Sequence, residues 1–441
     1  MKIGVGLVAL GFLLLGRVSA CRAEDRDPSH APRCEINTWR SFEENISQAG
    51  IMEFVEQWEA KGYRFGGVTI DEGWTPPEAA FGDWTPDGRR FPDLRGLVDW
   101  LHAKGYRVRL WVAPLLVNEG SAAAKSLPSA YLLTGAGGAR VRQVGRNALV
   151  LDPRVPGARQ QIAAIMERLT REYNPDAYKI DFCLTKGDAN QPSMYPNDNF
   201  DDRDRDNIQR ALFQAIRAGC SAVKPGIRIE SYPLESCADT IDDVISGDLI
   251  GSARTQASHE GLDRRLLQLA RAHGWVTWPE MVWGLGSDTP TGNPDWDRTY
   301  LEWLATDINY ERKLELSFPP FDYANAGQIR ALMNLYASGG TTYKVLYAGR
   351  NAFDLGKLAR AGVRLSVANR FLVAPSGDAE IRFVVPPGCG IPSQWEVIDL
   401  MNSESVRCVI RDENWEDGKA WHCVRFTARA GGVYVVRMRS P

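Results

Sequence analysis

Carboxylate side chains recur at the ends of short apolar segments, and this recurrence is the first indication of chemistry in the chain. The six positions are Asp71, Glu72, Asp181, Glu230, Asp248 and Glu280. A buried carboxylate is costly unless it is paired or hydrogen bonded, so acids repeated at strand ends indicate a shared site. Two such carboxylates on opposite sides of a sugar ring can hydrolyse a glycosidic bond, because one attacks the anomeric carbon while the other protonates the departing oxygen.

Aromatic residues are interleaved with these acids along the chain. They are Trp74, Trp111, Tyr232, Trp278 and Trp283. Aromatic rings bind the apolar CH faces of sugars, whereas carboxylates bind the hydroxyl groups. A dry, aromatic-lined pocket would also raise the pKa of a protonated catalytic acid through desolvation. The combination predicts a carbohydrate site; the alternative is that some of these rings only pack around its rim.

A lysine accompanies one of the acids, since Lys179 precedes Asp181 by two residues. Residues at that spacing point to the same side of a strand. The positive charge of Lys179 would keep Asp181 ionised and nucleophilic. The alternative interpretation is a buried Lys179–Asp181 ion pair without a catalytic role.

Short apolar runs alternate with amphipathic segments from Cys34 onward. Strand-like runs include "GGVTIDEGW", "RVRLWVAPLL", "AYKIDF", "IRIESY", "WVTWPEMVW" and "LELSFPP", and helices are predicted between them. This alternation predicts an α/β fold, a (β/α)8 TIM barrel over residues 34–374, with catalytic groups at the C-terminal ends of its strands. Short β runs separated by turn residues then predict a small antiparallel β-sandwich domain over residues 375–441.

The N-terminus has an export pattern that is not part of this fold. Lys2 precedes an apolar run over residues 3–15, and small residues suited to cleavage follow. Residues 1–20 are therefore predicted to be a signal peptide, and residues 21–33 a linker. The letters "VSAC" also resemble a lipobox, which would make Cys21 a lipid anchor. The expected location is periplasmic, extracellular or at the cell surface.

The composition excludes several classes of partner. A net charge of -3 provides no basic field for nucleic acid or anionic lipid, and no second apolar run is long enough to span a membrane. The spacing of the eight cysteines resembles no zinc pattern, so neither a metal nor a cofactor is expected. Cys408 and Cys423 flank a predicted hairpin and could form a disulfide. Cys183, Cys220 and Cys237 are predicted to be buried thiols.

Several segments resemble glycoside hydrolase family 31 and, more distantly, the α-galactosidase families of the same clan. "IDEGWTPPEAAFGDWTPDGRRFPDLRGLVDWLHAKGYRVRLWVAPLL" is similar to one long stretch of that family, and "LDPRVPGARQQIAAIMERLTREYNPDAYKIDF" resembles its helix and nucleophile strand. "VISGD" looks like the segment that ends in the acid/base, "WPEMVWG" like a "PDM.GG" strand, and "LELSFPPFDY" like the last barrel strand. The resemblance extends over roughly residues 34–335.

The resemblance implies an exported retaining α-glycosidase that acts on α-galactosides or α-glucosides. Asp181 would be the nucleophile and Asp248 the general acid/base, and no cofactor would be needed. Together with the strand-end acids and aromatic residues, it implies substrate binding by Asp71, Glu72, Trp74, Trp111, Lys179, Arg228, Glu230, Glu280 and Trp283.

Two alternatives remain open. The signature that usually follows the nucleophile is replaced by "FCLTKGD", which motivates an inactive carbohydrate-binding or surface scaffold protein on a glycosidase-like barrel. In the other alternative Glu230, and not Asp248, is the acid. Glu230→Gln would then be far more damaging than Asp248→Asn.

Overall fold

The protein is represented by a computed structural model that covers most of the first half of the chain and separate segments of the second. The described residues are 34–135, 137–143, 145–183, 202–231, 237, 239–245, 276–278, 314–316, 326–337, 343–348, 352–354, 370–375, 378–385, 395–402, 404–414, 420–429 and 432–438. The predicted signal peptide and linker lie outside these residues. Among the described helices, none is both long and apolar enough to cross a membrane.

The described part of the chain begins with intermixed helices and strands and ends with a series of strands. In chain order they are β1 (Cys34–Asn37), α1 (Trp39–Phe42), α2 (Gln48–Ala60), β2 (Gly67–Ile70), α3 (Leu94–Ala103), β3 (Arg107–Val112), β4 (Leu116–Val117), α4 (Ala122–Ser126), β5 (Arg142–Gln143), β6 (Ala148–Val150), α5 (Pro156–Tyr173), β7 (Ala177–Ile180), α6 (Asp202–Ser221), β8 (Arg228–Ser231), β9 (Asp243–Ile245), β10 (Val276–Trp278), β11 (Leu314–Leu316), α7 (Ala326–Ala337), β12 (Tyr343–Ala348), β13 (Ala352–Asp354), β14 (Arg370–Pro375), β15 (Ala379–Val385), β16 (Trp395–Asp399), β17 (Glu404–Val406), β18 (Val409–Asn414), β19 (Ala420–Ala428) and β20 (Tyr434–Met438).

An eight-stranded parallel sheet organises the first part of the chain. Its strand order is β10–β9–β8–β7–β3–β2–β1–β11, and every neighbouring pair is parallel. Helices lie between the successive sheet strands from β1 to β8, and all residues of β1, β2, β7 and β8 are buried. Burial on both faces is the property of a parallel sheet joined by crossover helices. The predicted α/β class is therefore confirmed.

Helix α3 shows how the sequence determines an element of this fold. Its first residue follows Asp93, whose side chain accepts a hydrogen bond from the Gly96 amide at 2.7 Å and so caps the helix. Its four buried residues, at helical spacing, are the predicted apolar positions Leu94, Leu97, Val98 and Leu101.

The predicted strand "RVRLWVAPLL" is two strands in the structure. Strand β3 ends at Val112, and β4 begins at Leu116 in a separate three-stranded sheet with β5 and β6. Pro114 lies between them and has no amide hydrogen to donate to a continuing ladder. The predicted strand "AYKIDF" likewise ends at Ile180, so that Asp181 follows β7 directly.

Two further sheets contain the C-terminal strands. One has the order β12–β14–β20–β16–β17 and the other β13–β15–β19–β18. The predicted β-rich texture is present, but its strands begin at Tyr343, ahead of the expected boundary at residue 375, and that boundary stays a prediction.

Five cysteines whose side chains the structure describes form no disulfide, namely Cys34, Cys183, Cys220, Cys237 and Cys408. Cys183, Cys220 and Cys237 are buried, as predicted. Cys408 forms no disulfide in the structure, so the suggested Cys408–Cys423 pairing is wrong.

Candidate active site

Asp181 lies at the C-terminal edge of the parallel sheet, and both of its carboxylate oxygens accept hydrogen bonds. The Trp111 indole Nε1–H donates to Oδ2 at 3.1 Å, and the Phe182 amide donates to Oδ1 at 2.6 Å. The Asp181 amide continues the ladder by donating to the Val112 carbonyl at 3.0 Å. Because backbone and side chain are both held, the partly buried carboxylate has a defined orientation at the end of β7.

A buried ion pair connects β7 to the end of β2, across the intervening strand β3. Lys179 Nζ donates to Asp71 Oδ2 at 2.9 Å, and the two side chains are 4% and 3% exposed. The Asp71 amide donates to Thr38 Oγ1 at 3.0 Å, and Asp71 Oδ1 accepts from the Glu72 amide at 2.8 Å. Removing one partner from such a pair leaves an uncompensated buried charge, so loss of either residue should destabilise the fold. The parallel register thus brings the predicted residues of β2 and β7 into one cluster.

Glu72 and Glu44 share one guanidinium nitrogen. Arg146 Nη2 lies 2.6 Å from Glu44 Oε1 and 2.8 Å from Glu72 Oε2. Burial raises the pKa of Glu72 from 4.5 to about 7; Arg146 opposes this rise, while the charges of Asp181 and Glu44 add to it. Burial lowers the pKa of Arg146, but the acids Glu72, Glu44 and Asp181 outweigh this effect, so that the pKa of Arg146 lies above its usual value. The Arg146 guanidinium and the Glu72 carboxyl therefore both interact electrostatically with Asp181.

Glycine at position 73 permits the approach that brings Glu44 to this cluster. Gly73 has a φ of +113°, and a Cβ there would lie 2.5 Å from the Glu44 carbonyl oxygen. A side chain would therefore push the loop after β1 away from the end of β2.

The sequence analysis missed Arg146 and Glu44. Arg146 lies between β5 and β6, in the sheet that follows β3, and its contact with Glu72 joins residues 74 positions apart. No short motif indicates such a contact; the only available signal was the segment between β3 and α5, which is long for a barrel connection.

Trp74 and Trp111 are core residues of this region. Trp74 is 0% and Trp111 1% exposed, and Trp74 Nε1 donates to the Trp111 carbonyl at 2.9 Å. Trp74 therefore binds the backbone of Trp111, while the Trp111 side chain donates to Asp181. This arrangement agrees with the packing alternative for Trp74 more closely than with an exposed sugar platform.

Arg228 and Glu230 lie deeper in the sheet. Glu230 is opposite Lys179 in the β7–β8 ladder, two residues before the level of Asp181, and is 0% exposed. It pairs with Arg109 at 2.6 Å, while Arg228 binds both Asp243 oxygens at 2.8 and 2.6 Å. These buried ion pairs favour structural roles, and they count against the alternative in which Glu230 is the acid.

The remaining predicted residues fall outside the described part of the chain. They are Asp248, Glu280 and Trp283. Strand β9 ends at Ile245, three positions before Asp248, and lies two strands from β7 in the sheet. Within the described residues no group of three or more histidine, cysteine or acidic side chains is arranged to hold a metal ion.

Sequence comparison relates the chain to α-galactosidases. Residues 24–231 match the Melibiase family, a span that includes Asp71, Arg146 and Asp181. Alpha-galactosidase C of Emericella nidulans is 29% identical over 184 residues, which are 38% of this chain and 24% of that protein. The chain spans about a quarter of the length of the curated relatives it matches.

Solved structures share the fold. A GH36 alpha-galactosidase from Geobacillus stearothermophilus aligns with a TM-score of 0.52 at 13% identity, over 92% of this chain and 55% of that one. A GH31 alpha-xylosidase from a soil metagenome aligns with a TM-score of 0.51 at 16% identity, over 92% of this chain and 63% of that one. The sequence match is to the Melibiase family, and solved structures of both groups share the fold, so the expected glycosidase clan is supported but family 31 specifically is not.

Proposed function

We propose that this protein is an exported retaining α-galactosidase with Asp181 as its nucleophile. The observation that carries the proposal is the fixed carboxylate of Asp181 at the C-terminal edge of a parallel sheet, beside the Asp71–Lys179 pair. Catalytic groups of barrel enzymes occupy this edge. The Melibiase match over these residues supports galactosides over glucosides as substrates.

The reaction would proceed by double displacement. Asp181 attacks the anomeric carbon while Asp248 protonates the departing oxygen, and Asp248 then deprotonates the water that releases the sugar. Asp71, Lys179, Glu72 and Arg146 would bind hydroxyl groups of the galactose. A retaining reaction requires carboxyl groups about 5–5.5 Å apart.

Closure of the sheet into a (β/α)8 barrel is part of the proposal. The first strand, β1, pairs with the eighth, β11, and the other strands follow in chain order from β1 to β10. Pairing of β10 with β11 would complete the circle and abolish the sheet edges. We also infer that the two C-terminal sheets pack as a β-sandwich, since Phe426 of β19 and Tyr434 of β20 lie 5.4 Å apart between ring centroids.

A panel of aryl α-glycosides tests the activity. We expect hydrolysis of aryl α-galactoside with retention, loss of turnover in Asp181→Ala, and unchanged turnover in Asp99→Asn, an exposed aspartate of α3. A mechanism-based galactosyl label should attach to Asp181. Attachment elsewhere would overturn the assignment, and sugar binding without turnover would favour the inactive carbohydrate-binding alternative.

Asp248 has its own test. Asp248→Asn should slow an aryl α-galactoside with a poor leaving group strongly and one with a good leaving group little, because the latter needs little protonation. Equal losses on both substrates would remove Asp248 from the acid's role.

A further inference from the structure

The side chain that donates to Asp181, Trp111, belongs to a cluster of four aromatic rings. Trp111 and Phe81 are in contact with each other, with ring centroids 6.2 Å apart. Trp84 contacts both of them, at 6.2 Å from Trp111 and 5.9 Å from Phe81. Phe182 also contacts both, at 6.2 Å from each and nearly perpendicular, with interplanar angles of 89° and 88°.

Two members of this cluster have unusual backbone conformations. Phe182 has a φ of +51° and Trp84 a φ of +50°. Bulky residues rarely adopt this left-handed region, and they remain there only when surrounding contacts hold them. For Phe182 those contacts include the edge-to-face packing against Phe81 and Trp111.

The conformation of Phe182 has a direct consequence for Asp181. The chain turns sharply after Asp181, and the Phe182 amide donates to Asp181 Oδ1. The ring of Phe182 meanwhile packs on Trp111, whose indole donates to Oδ2. The same contact therefore supports both hydrogen bonds that orient the carboxylate.

We propose that Phe81 and Phe182 are positioning residues, which orient the Asp181 carboxylate by fixing the Trp111 indole and the Phe182 amide. The inference rests on the proposed nucleophilic role of Asp181. Phe81 lies one hundred positions from Asp181, in the segment after β2, and is 2% exposed. Its influence therefore passes through the other rings to the end of β7.

The energetic reason is the sensitivity of nucleophilic attack to geometry. Displacement of a reacting group by about 1 Å can lower the rate about 100-fold without changing ground-state binding. Loss of either ring should accordingly lower kcat and leave KM nearly unchanged. A ring that served instead as a sugar platform would change KM.

The experiment compares Phe81→Leu, Phe182→Leu, Phe182→Gly and Phe182→Tyr with the parent enzyme. We expect the leucine and glycine variants to lose about 10–100-fold in kcat, with KM within about threefold of the parent. Phe182→Tyr keeps the ring and should retain most of the activity. Phe91→Leu removes a buried ring outside the cluster and serves as the matched control.

A second readout does not depend on activity. The indole 15N–1H signal of Trp111, assigned by its loss in Trp111→Phe, should shift in Phe81→Leu and Phe182→Leu in the direction seen with Asp181→Asn. It should stay in place in Phe91→Leu. An inactive parent enzyme would refute the proposed function while this signal still decides the positioning role. Unchanged kcat, a rise in KM alone, or an unmoved Trp111 signal would overturn the inference.

Discussion

Glu72 should make the stability of the folded protein fall as pH rises toward neutrality. Burial raises the pKa of this carboxyl from 4.5 to about 7, and its side chain is only 9% exposed. The folded state therefore binds more protons than the unfolded state between these two values. The stabilisation is fully present below pH 4.5 and is lost as pH rises through about 7.

The size of the effect follows from the two pKa values. A difference of one pKa unit corresponds to about 1.4 kcal/mol, so the interval from 4.5 to about 7 corresponds to about 3 kcal/mol in the free energy of unfolding. Glu35 is also buried with a raised pKa, so the total pH dependence contains more than one contribution. The difference between the parent protein and Glu72→Gln isolates the part that belongs to Glu72.

Urea unfolding at several pH values between 4.5 and 8 provides the assay. The free energy of unfolding of Glu72→Gln, relative to that of the parent protein, should rise by about 3 kcal/mol across this pH range, because glutamine has no proton to lose. When both proteins also carry Glu44→Gln, this rise should be smaller, since the charge of Glu44 contributes to the raised pKa of Glu72. A difference between parent and Glu72→Gln that does not vary with pH would refute the raised pKa and the electrostatic picture of the site.

Three further outcomes follow from the same contacts. Arg146→Gln should raise KM for an aryl α-galactoside about tenfold or more, since one lost charged hydrogen bond is worth about 1.5–3 kcal/mol. Arg142→Gln, which removes an exposed ion pair with Glu119, should leave KM unchanged. Equal effects of the two substitutions on KM would show that Arg146 does not act on the site. Lys179→Met should lower the free energy of unfolding by about 3–5 kcal/mol in urea titrations, because it leaves Asp71 buried without its cation. The double variant Lys179→Met/Asp71→Asn should recover part of that loss. No recovery in the double variant would contradict a direct ion pair. Burial raises the pKa of Cys183 and raises that of Cys220 to about 12, so iodoacetamide should modify partly exposed Cys408 before these two in the folded protein. Early modification of Cys183 detected by mass spectrometry would contradict its burial.

Features of the fold that depend on local periodicity could be predicted from the sequence. The apolar face of α3 and the placement of Asp71 and Asp181 at strand ends follow from local patterns. Parallel strands present their C-terminal ends at one edge, so acids from separate motifs could be assigned to one site. The position of Asp248 relative to Asp181 stays a prediction.

Contacts between distant segments could not be derived in this way. The spacing of Lys179 and Asp181 suggested a local pair, yet Lys179 binds Asp71, 108 positions away. The sheet order places β3 between β2 and β7, and the two side chains meet across it. The turn at Phe182 was equally hidden, since a phenylalanine after an apolar run reads as a continuation of the strand. Its ring packs against Phe81 in this left-handed conformation, and no local pattern connects the two residues.

The charged interior explains why the site can be both polar and rigid. Glu35, Arg109 and Glu230 form a buried chain of ion pairs, and Thr69 donates a hydrogen bond to Glu35. Each carboxylate is compensated only if β1, β3 and β8 keep their register, because a shifted strand would leave a charge buried without its partner. The three strands alternate in the sheet with β2 and β7, which position Asp71 and Lys179, so register errors would displace that pair as well. The ionic interior thus links correct strand alignment to the geometry of the residues around Asp181.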